Sequence, residues 1–478
     1  MDEDCGPGLE GFMCLSEFGG YSSFVYGGRT MMRCVVSRAA VLVCLTAVPF
    51  FVPAWRVDAA VAIRPPALSG DAGAGVSESP KWRSDEIIIK FNEGVDASTC
   101  DEVIKQHGCV CLQTCEPGKC HLLMIPDSQT PEDMAADFLE HESIEYAELN
   151  YCVRLFFTPD DPYFAYQWNL HDADAGGIDM EAAWSIEMGD PNVIVAVMDT
   201  GVAYENYGAY KQAPDLARTH FVPGYDFIND DSHPNDDHGH GTHIAGTLSQ
   251  STDNTLGVAG IAFRCSIMPV KVMDATGEGD YFDVSQGIYF AVRNGAKVIS
   301  ISLGASSAST TLRNAVAFAY QNGVTVVCAA GNDYENGNAP SYPAAYDSYC
   351  IAVGATRYDQ QRAYYSNTGS YVDVVAPGGD MRVDQNQDGY PDGIVQQTFA
   401  LNPADFSYYF LQGTSMATPH VSGLAALLIS HGVTEPDNVR KALQQTAIDL
   451  GSAGWDRQYG WGLIDAPTAL KYFGAVGE

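Results

Sequence analysis

The chain has 478 residues, of which 46% are hydrophobic, so it can bury a large core and contain more than one folding unit. Its 25 Lys and Arg are outnumbered by 60 Asp and Glu, which gives a formal net charge of −35. That negative field argues against nucleic acid and anionic membrane surfaces as partners, and it favours solubility and cation binding.

Residues 1–62 have the pattern of an N-terminal extension that ends in a targeting signal. Three arginines precede the apolar stretch Ala39–Trp55, and small residues follow at Val57–Ala62, as a signal peptidase requires. We therefore predict secretion to the extracellular space, the periplasm or the cell envelope. A retained membrane anchor is the alternative, although prolines interrupt the apolar stretch.

A linker rich in Pro, Gly, Ala and Ser is predicted at 63–83, and the segment 84–156 then has the pattern of a small α+β domain. Its predicted elements are a strand Glu86–Phe91, a helix Ala97–His107, strands Cys109–Gln113 and Cys120–Ile125, a helix Thr130–Glu142 and a strand Ile144–Leu155. This βαββαβ order is typical of a ferredoxin-like fold. Six of the 13 cysteines fall in this domain, and secretion permits disulfides among them, but spacing assigns no pairing.

The remaining segment, 157–478, alternates apolar strands with helices. The predicted strands include Val193–Val202, Arg264–Met273, Ala296–Gly304, Val324–Gly331 and Tyr349–Thr356, and helices are predicted at Val284–Asn294 and Thr311–Asn322. Apolar strands separated by helices predict an α/β fold with a mostly parallel sheet and helices on both of its faces.

Two polar residues occupy positions in this pattern that suit chemistry. Asp199 ends the apolar strand Val193–Val202, and ligands bind at the carboxyl edge of open α/β sheets. His240 stands between glycines just before a helix of small residues. Their alternatives are structural: Asp199 as a turn former, and His240 as a helix-start residue or a metal ligand.

An oxygen-rich loop at 384–392 is a candidate calcium site. Its proposed ligands are Asp384, Asn386, Asp388, the Tyr390 carbonyl and Asp392. Calcium prefers six to eight oxygen ligands, and a glycine in the middle of the loop permits the sharp turn that they need. The bidentate Glu of a full EF-hand loop is missing, and an acidic surface turn is the alternative.

Two further residues complete a chemical set. Asn332 follows an apolar strand and has an amide that can donate to an oxyanion. Ser415 lies in a GTS turn before the predicted helix Met416–His431, whose free N–H groups and positive dipole end would face its hydroxyl. Pro419 is expected in the first turn of this helix, where its missing N–H breaks no bond.

An acid, a histidine, a serine and an amide supply the roles of nucleophilic hydrolysis. His240 would accept the Ser415 proton, and Asp199 would hold the imidazole in the required tautomer. Asn332 would donate to the oxyanion, beside the Ser415 backbone N–H. Each residue alone has an ordinary explanation, but four unrelated turns would have to supply the four roles by accident. We therefore interpret them as one catalytic site.

The segments around these four residues resemble the signature blocks of the subtilisin-like serine proteases. The resemblance covers the chain from about Phe157 to its end, and it implies a serine endopeptidase with these residues as its triad and oxyanion donor. Thr414 would support the same oxyanion hole. The segment 84–156 then resembles the family's propeptide, an intramolecular inhibitor of a self-maturing zymogen. An independent accessory domain is the alternative.

The same resemblance implies that two segments bind a polypeptide substrate through their backbones. Their residues are Ser302, Leu303 and Gly304 in one segment and Gly277, Gly279 and Tyr281 in the other. Main-chain pairing does not depend on the substrate's side chains, so broad specificity is implied. The mature enzyme is expected to be a monomer.

The resemblance also implies two more calcium sites, so Ca²⁺ is the expected cofactor. The first set is Asp161, Asp215 and Asn254 with the carbonyls of Leu256 and Val258, and the second is Asp226, Asn229, Asp231 and Asn235. Neighbouring histidines suggest zinc as an alternative, but the HExxH spacing of a zinc protease is absent.

Two other functions stay open. An inactive calcium-binding or adhesive relative would be expected to lack a member of the triad, and none is missing here. A processing protease that cuts one partner would differ only in the shape of its substrate pocket. The three cysteines of the larger domain, Cys265, Cys328 and Cys350, are an odd number, and no bridge is assigned among them.

Overall fold

The computed structural model describes residues 24–26, 29–31, 61–63, 82–116, 118–126, 128–151, 157–172 and 175–473. The chain divides into two compact units, 1–56 and 57–478. In the first unit, β1 (Phe24–Tyr26) and β2 (Arg29–Met31) form an antiparallel pair. The predicted signal stretch 39–55, residues 64–81 of the linker and the propeptide end at 152–156 lie outside the described residues.

The second unit begins with β3 (Val61–Ile63) and then contains the predicted small domain. Its elements are β4 (Trp82–Phe91), α1 (Ala97–Gln106), β5 (Val110–Cys115), β6 (Cys120–Met124), α2 (Pro131–Leu139) and β7 (Ile144–Tyr151). The four strands form an antiparallel sheet in the order β5-β6-β4-β7, which confirms the ferredoxin-like prediction. β4 begins four residues before the predicted Glu86, and the predicted end of the last strand at Leu155 lies outside the described residues.

Local sequence explains the helices of this domain. The Asp96 side chain accepts from Thr99 N at 3.0 Å and caps α1, while Thr130 caps α2 by accepting from Asp133 N at 3.2 Å. The core contains Leu123 of the sheet and Phe138 of α2, both completely buried. One face of the sheet therefore packs against the two helices, as the alternation of apolar and polar residues in the strands predicts.

The larger domain follows from 157. Its helices are α3 (Trp168–His171), α4 (Met180–Trp184), α5 (His240–Ser249), α6 (Tyr281–Arg293), α7 (Thr310–Gln321), α8 (Thr414–Ser430), α9 (Pro436–Gln445) and α10 (Ala466–Lys471). Its strands are β8 (Ile194–Asp199), β9 (His220–Phe221), β10 (Tyr225–Asp226), β11 (Ser266–Lys271), β12 (Val298–Ile301), β13 (Thr325–Ala329), β14 (Ile351–Thr356), β15 (Val374–Pro377), β16 (Ile394–Thr398) and β17 (Ser407–Leu411).

The main sheet is parallel throughout and runs in the order β10-β11-β8-β12-β13-β14-β15, with β9 beside β11. β8 has β11 on one side and β12 on the other, so the strands that follow β8 in the chain are added on both of its sides. Such a reversal of strand order opens a crevice at the carboxyl end of the strand. Asp199 is the last residue of β8 and lies at this crevice.

Both faces of this sheet are covered. Along β8, Val195 and Val197 pack in the cluster that contains α5 and α8, whereas Ala196 and Met198 pack in the cluster that contains α6 and α7. Alternate residues of a strand point to opposite faces, so an uninterrupted apolar strand is the expected sequence for a sheet buried on both sides. The α/β prediction is confirmed.

A second, three-stranded sheet lies outside the main one. β16 and β17 form an antiparallel hairpin in the insertion before Ser415, and β3 pairs antiparallel with β17. The predicted boundary between signal and linker therefore falls within a strand, because β3 spans residues on both sides of it.

The helix that carries Ser415 differs from its prediction. α8 begins at Thr414, two residues early, so Pro419 lies inside the helix and not in its first turn. Proline lacks the N–H that would bond the carbonyl four residues earlier, here that of Ser415. The Ser302 hydroxyl donates to that carbonyl at 3.0 Å, which satisfies the acceptor that Pro419 leaves free.

Candidate active site

Asp199 and His240 form a close hydrogen bond at the crevice. His240 Nδ1 lies 2.7 Å from Asp199 Oδ1, and the Asp199 side chain is completely buried. The Thr200 backbone N–H also donates to Asp199 Oδ1 at 2.8 Å. This arrangement presents the imidazole with its Nδ1 held by a carboxylate, as a general base requires.

Asp236 holds the turn that delivers His240, and the sequence interpretation missed it. Its Oδ1 accepts from the backbone N–H groups of His238 and Gly239 at 2.9 Å each, and its Oδ2 accepts from Thr242 N at 2.9 Å. The carboxylate therefore satisfies N–H groups at the start of α5, as an N-terminal cap does. An acid four residues before a helix-starting histidine is the sequence signal that could have identified it.

The pKa of His240 reflects two opposing effects. Burial lowers it, while the charge of Asp199, the hydrogen bond to Asp199 and the more distant Asp236 raise it, and the net result is a pKa above the ordinary 6.5. The surroundings of His240 therefore stabilise the protonated imidazole that forms when the ring acts as a base.

Ser415 is held at the start of α8 by a reciprocal pair of hydrogen bonds with Ser302. Ser415 Oγ donates to the Ser302 carbonyl at 3.0 Å, and Ser302 Oγ donates to the Ser415 carbonyl at the same distance. The hydroxyl therefore points at the segment predicted to pair with substrate. The Ser415 side chain would have to rotate before its hydroxyl could donate to a different acceptor. α8 packs against α5, which begins at His240.

Asn332 lies beside the nucleophile's turn with its amide group oriented by Thr414. Asn332 Oδ1 accepts from Thr414 N at 2.8 Å and from Thr414 Oγ1 at 2.9 Å. Because the oxygen is occupied, the Nδ2 donor is left to face the site. Gly413 has φ of 151°, and a Cβ there would lie 3.5 Å from both Asn332 Nδ2 and Ser415 N. Both donors therefore lie close to the space that a side chain at Gly413 would fill.

A hydrogen bond links Tyr281 of one predicted substrate segment to the chain just beyond the other. Tyr281 OH donates to the Ser307 carbonyl at 2.6 Å, just beyond Ser302, Leu303 and Gly304. Gly304 is exposed and Leu303 is half-buried, whereas Ser302 is buried against Ser415. In the other segment Gly279 is exposed, and a Cβ on Gly277 would lie 3.3 Å from His238 Nε2. Their contact with substrate stays a prediction.

Asp161, Asp215 and Asn254 converge although they are far apart in the chain. Asn254 N donates to Asp161 Oδ1 at 3.3 Å, and Asn254 Nδ2 donates to Asp215 Oδ1 at 2.8 Å. The backbone N–H of Val258 also donates to Asp215, at 3.1 Å, and that of Leu256 donates to the Asn254 side chain at 2.7 Å. The predicted carbonyl donors are therefore carried by a loop that wraps these acids.

This cluster holds a buried carboxyl without a cationic side-chain partner among the described ion pairs. Burial raises the pKa of Asp215 to about 7 and also raises that of Asp161. A Cβ on Gly257 would lie only 2.1 Å from Asp215 Oδ2, so the loop packs closely around the acid. Tyr408 OH donates to the same oxygen at 3.2 Å, a contact that the sequence did not indicate.

The loop at 384–392 is folded on its own side chains. Asp384, Asn386 and Asp388 each accept a backbone N–H from within the loop, at 2.8 to 3.2 Å. Asp392 is 1% exposed, and its Oδ1 has no partner in the described chain. Burial and the nearby Asp384 and Asp388 raise its pKa to about 6. The Tyr390 carbonyl remains a predicted ligand.

The remaining predicted set is partly occupied by local hydrogen bonds. Asp226 Oδ1 accepts from the Asn229 backbone at 2.9 Å, and Asp231 Oδ1 accepts from His233 N at 2.8 Å. Asn235 Oδ1 is buried without a partner among the described residues, while its amide donates to Glu205 at 3.0 Å. The sequence did not indicate Glu205 as a neighbour of this loop.

No group of three or more His, Cys, Asp or Glu side chains that could hold a metal ion occurs in the part of the chain that the structure describes. The three predicted sets each depend on Asn side chains or carbonyls in addition to acids, so this finding bears most directly on Asp384, Asp388 and Asp392, whose carboxylates do not converge. Among the described helices, none is both long and apolar enough to cross a membrane.

Comparison with known proteins agrees with this architecture. Residues 190–462 match the model of the Subtilase family, and residues 70–150 match the fervidolysin N-terminal prodomain. The thermophilic serine proteinase of Bacillus sp. strain AK1 is 35% identical over 389 residues, which are 81% of this chain and 87% of that protein. Thermitase of Thermoactinomyces vulgaris is 38% identical over 318 residues, which are 66% of this chain and all of that protein.

Two further similarities are to an extracellular protease and to a solved structure. The halolysin-like extracellular serine protease Nep of Natrialba magadii is 31% identical over 84% of this chain and 70% of its own length. Among solved structures, a protease of Pseudoalteromonas arctica covers 66% of this chain and 99% of its own, with a TM-score of 0.58 and 33% identity.

Proposed function

Because the chain belongs to the subtilase family of serine proteases, we propose that it is a secreted, self-maturing endopeptidase that cuts peptide bonds through Asp199, His240 and Ser415. The observation that carries the proposal is the 2.7 Å hydrogen bond between His240 and the buried Asp199. The packing of α5 against α8 supports a meeting of His240 with Ser415.

In the proposed mechanism, Ser415 Oγ attacks the carbonyl carbon of the scissile peptide as His240 Nε2 removes its proton. Asp199 stabilises the resulting imidazolium through Nδ1, and Asn332 Nδ2 with the Ser415 N–H donates to the oxyanion. His240 then protonates the leaving amine, which leaves an acyl group on Ser415. A water molecule that His240 deprotonates releases this acyl group and restores the hydroxyl.

A phosphonylating reagent directed at activated serines tests the proposal. The wild-type protein should gain one covalent adduct on Ser415, since only an activated hydroxyl reacts quickly. Mass spectrometry of the digested protein locates the adduct, and Ser422, a buried serine of the same helix, is the internal control. A folded sample that is not modified at Ser415 would contradict the proposed activity.

Replacing Asn332 by Ala is expected to lower kcat by a factor of about 10² to 10³ with little change in KM, because the lost donor acts on the developing oxyanion. Thr414→Val is the matched variant: it removes the hydroxyl that orients Asn332 Oδ1 and keeps the amide itself, so its loss should be smaller. Steady-state kinetics on one peptide substrate measures both, and an equal rise in KM with unchanged kcat would contradict the role.

The segment 84–156 is proposed to inhibit the enzyme within the same chain until it is removed. The prodomain match at 70–150 and the ferredoxin-like sheet of this segment support this role. The proposed substrates are polypeptides held between the segments around Ser302 and Gly279, with broad side-chain preference. A monomer without nucleic-acid partners is proposed, and the formal charge of −35 of the whole chain supports this.

Calcium is proposed as the stabilising ion, and the cluster of Asp161, Asp215 and Asn254 fits it best. Two buried carboxylates and an amide in a close-packed loop form the hard oxygen set that calcium prefers, and carbonyls of Leu256 and Val258 would complete it. When bound, the ion would supply the positive charge that the buried acids lack. The loops of Asp384–Asp392 and of Asp226 and Asp231 are proposed as further, weaker sites.

Removing calcium is expected to lower Tm more near pH 8 than near pH 5. The folded-state pKa of Asp215, about 7, exceeds its ordinary value of 3.8. In the metal-free protein this carboxyl therefore lowers the free energy of unfolding as pH rises between those two values, by up to about 4 kcal/mol. Near pH 5 the acid is protonated and needs no ion. Thermal unfolding with and without a chelator measures the difference.

Asp215→Asn is the control for this experiment, because it removes the titrating group and keeps a side chain of similar shape. The difference in the chelator effect between the two pH values should then shrink, and what remains is due to Asp161 and Asp392, whose pKa values burial also raises. The same chelator effect at both pH values in the wild type would contradict the assignment of calcium to Asp215.

A further inference from the structure

Two cysteines face each other across the hairpin of the small domain. Cys115 ends β5 and Cys120 begins β6, and they are directly opposite in the antiparallel register. The loop between them is closed by a hydrogen bond from Lys119 N to the Cys115 carbonyl at 2.7 Å. Opposite residues in such a pair have Cα atoms about 4.5 to 5.5 Å apart, which lies within the range of about 4.4 to 6.8 Å that disulfides span.

The two sulfur atoms lie on the same side of this loop. A Cβ on Gly118 would be 3.8 Å from Cys115 Sγ and 3.9 Å from Cys120 Sγ. Burial, followed by contact with Cys115, raises the pKa of the Cys120 thiol. Cys115 is exposed and Cys120 is half-buried, so Cys115 is the thiol that an external reagent reaches first.

The other described cysteines of this domain lie on the side of the sheet that the helices cover. A bulge after Cys111 places it opposite Leu123, a completely buried residue on the helix-covered face. Cys120 is three positions from Leu123 and therefore points to the other face. Cys109 and Cys100 pack in the core cluster with Leu123. Among the cysteines that the structure describes in this domain, the fold thus selects one pairing that the spacing in the sequence did not.

We propose that Cys115 and Cys120 form a reversible disulfide in the precursor, and that this bond slows removal of the propeptide; the second half rests on the proposed self-maturation. The Cys115 thiolate attacks one sulfur of a small disulfide such as glutathione disulfide and releases one glutathione thiolate. The Cys120 thiolate then attacks Cys115 Sγ of the mixed disulfide and releases the second. The protein dithiol is oxidised, the small disulfide is reduced, and the two thiol protons pass to solvent.

The disulfide would join β5, the edge strand of the sheet, to β6 next to the turn that connects them. A cross-link restricts the unfolded chain, and the gain is modest when the closed loop is short. Opening of β5 from the sheet should become rarer, and an intact inhibitory fold should persist longer. The redox state of the surroundings would then set the rate of maturation.

The thiol chemistry can be tested in the full-length Ser415→Ala precursor, which cannot cut itself under the proposed mechanism. The protein is treated with glutathione disulfide, alkylated, and digested after Lys, Arg and Glu. Because the Glu116–Pro117 bond is not cut, Cys115 falls in peptide 106–119 together with Cys109 and Cys111, and Cys120 falls in peptide 120–132. These two peptides should appear cross-linked. The cross-link should persist in the added variant Cys111→Ser and vanish in Cys115→Ser, where Cys120 should carry glutathione.

A cross-link that survives in Cys115→Ser, or alkylation of Cys115 to the same extent before and after oxidation, would overturn the pairing. Because this arm uses an inactive chain, it does not depend on the proposed function. In the active precursor, oxidation should slow maturation by a factor of about two or more relative to the reduced protein. Cys120→Ser should abolish that difference and Cys111→Ser should keep it; an unchanged ratio in Cys120→Ser would overturn the link to maturation.

Discussion

Ser415→Ala should abolish peptide hydrolysis, with kcat lower by a factor on the order of 10⁶, the size of loss seen when a triad loses its nucleophile. No other group at this position can form the acyl bond. The fold should survive, because the Ser415 carbonyl keeps its bond from Ser302 Oγ, and only the bond from Ser415 Oγ to Ser302 is lost. Initial rates on a peptide substrate and circular dichroism measure the two effects.

Ser422→Ala is the matched control. Ser422 lies in the same helix, is completely buried, and donates to the Thr418 carbonyl at 3.0 Å, so its loss has a similar structural cost without a proposed chemical role. On gels, the Ser415→Ala precursor should stay at full length while the Ser422→Ala precursor shortens. If Ser415→Ala retained more than a small fraction of the wild-type rate, another residue would have to be the nucleophile.

The sequence predicted the sheet and the position of Asp199 at its carboxyl edge well because both depend on local patterns. Continuous apolar strands mark a sheet buried on both faces, and Asp199 at the end of one of them is a local feature. The pairing of His240 with Asp199 was also expected, from the chemistry of the two residues together. Strand ends shifted by a few residues, since terminal pairs depend on neighbours that the local pattern does not contain.

The features that the sequence missed come from contacts between distant segments. Pro419 was expected in a first turn, but the position four residues before it is Ser415, and Ser302, which directly follows β12, supplies the missing donor. In the same way Tyr408 reaches Asp215 from the β16–β17 hairpin, across 193 positions of sequence. A local pattern contains no information about which far segment arrives at a free acceptor.

The candidate calcium loops illustrate a different limit. The alternating oxygen residues from Asp384 to Asp392 are compatible both with an ion and with a loop held by its own backbone N–H groups, and the structure contains the second arrangement in detail. Only buried groups without partners, such as Asp392 Oδ1, separate the two cases. Burial is a property of the whole fold, so the ligand pattern alone did not rank the three sites.

The second large effect is expected for Asp199→Asn, which should lower kcat by a factor of about 10⁴ near neutral pH. The amide of Asn can donate to His240 Nδ1, and that bond would hold the ring in the tautomer with hydrogen on Nε2, which cannot accept the Ser415 proton. The side chain is completely buried and of nearly the same size, so the fold should be kept. Asp283→Asn, which removes a charge from the first turn of α6, is the control and should leave the rate unchanged.

The pH dependence of this variant separates a catalytic role from a structural one. In the wild type, burial lowers the pKa of His240, and the charge and hydrogen bond of Asp199 raise it above 6.5. Because the base must be neutral, wild-type activity should fall as pH drops through that raised value. Without the carboxylate, burial dominates and the pKa falls, so the acid limb of kcat should move to lower pH and the deficit of the variant should narrow there. An acid limb at the same pH in both proteins would show that Asp199 does not set the charge state of His240, and the proposed triad would lose its acid.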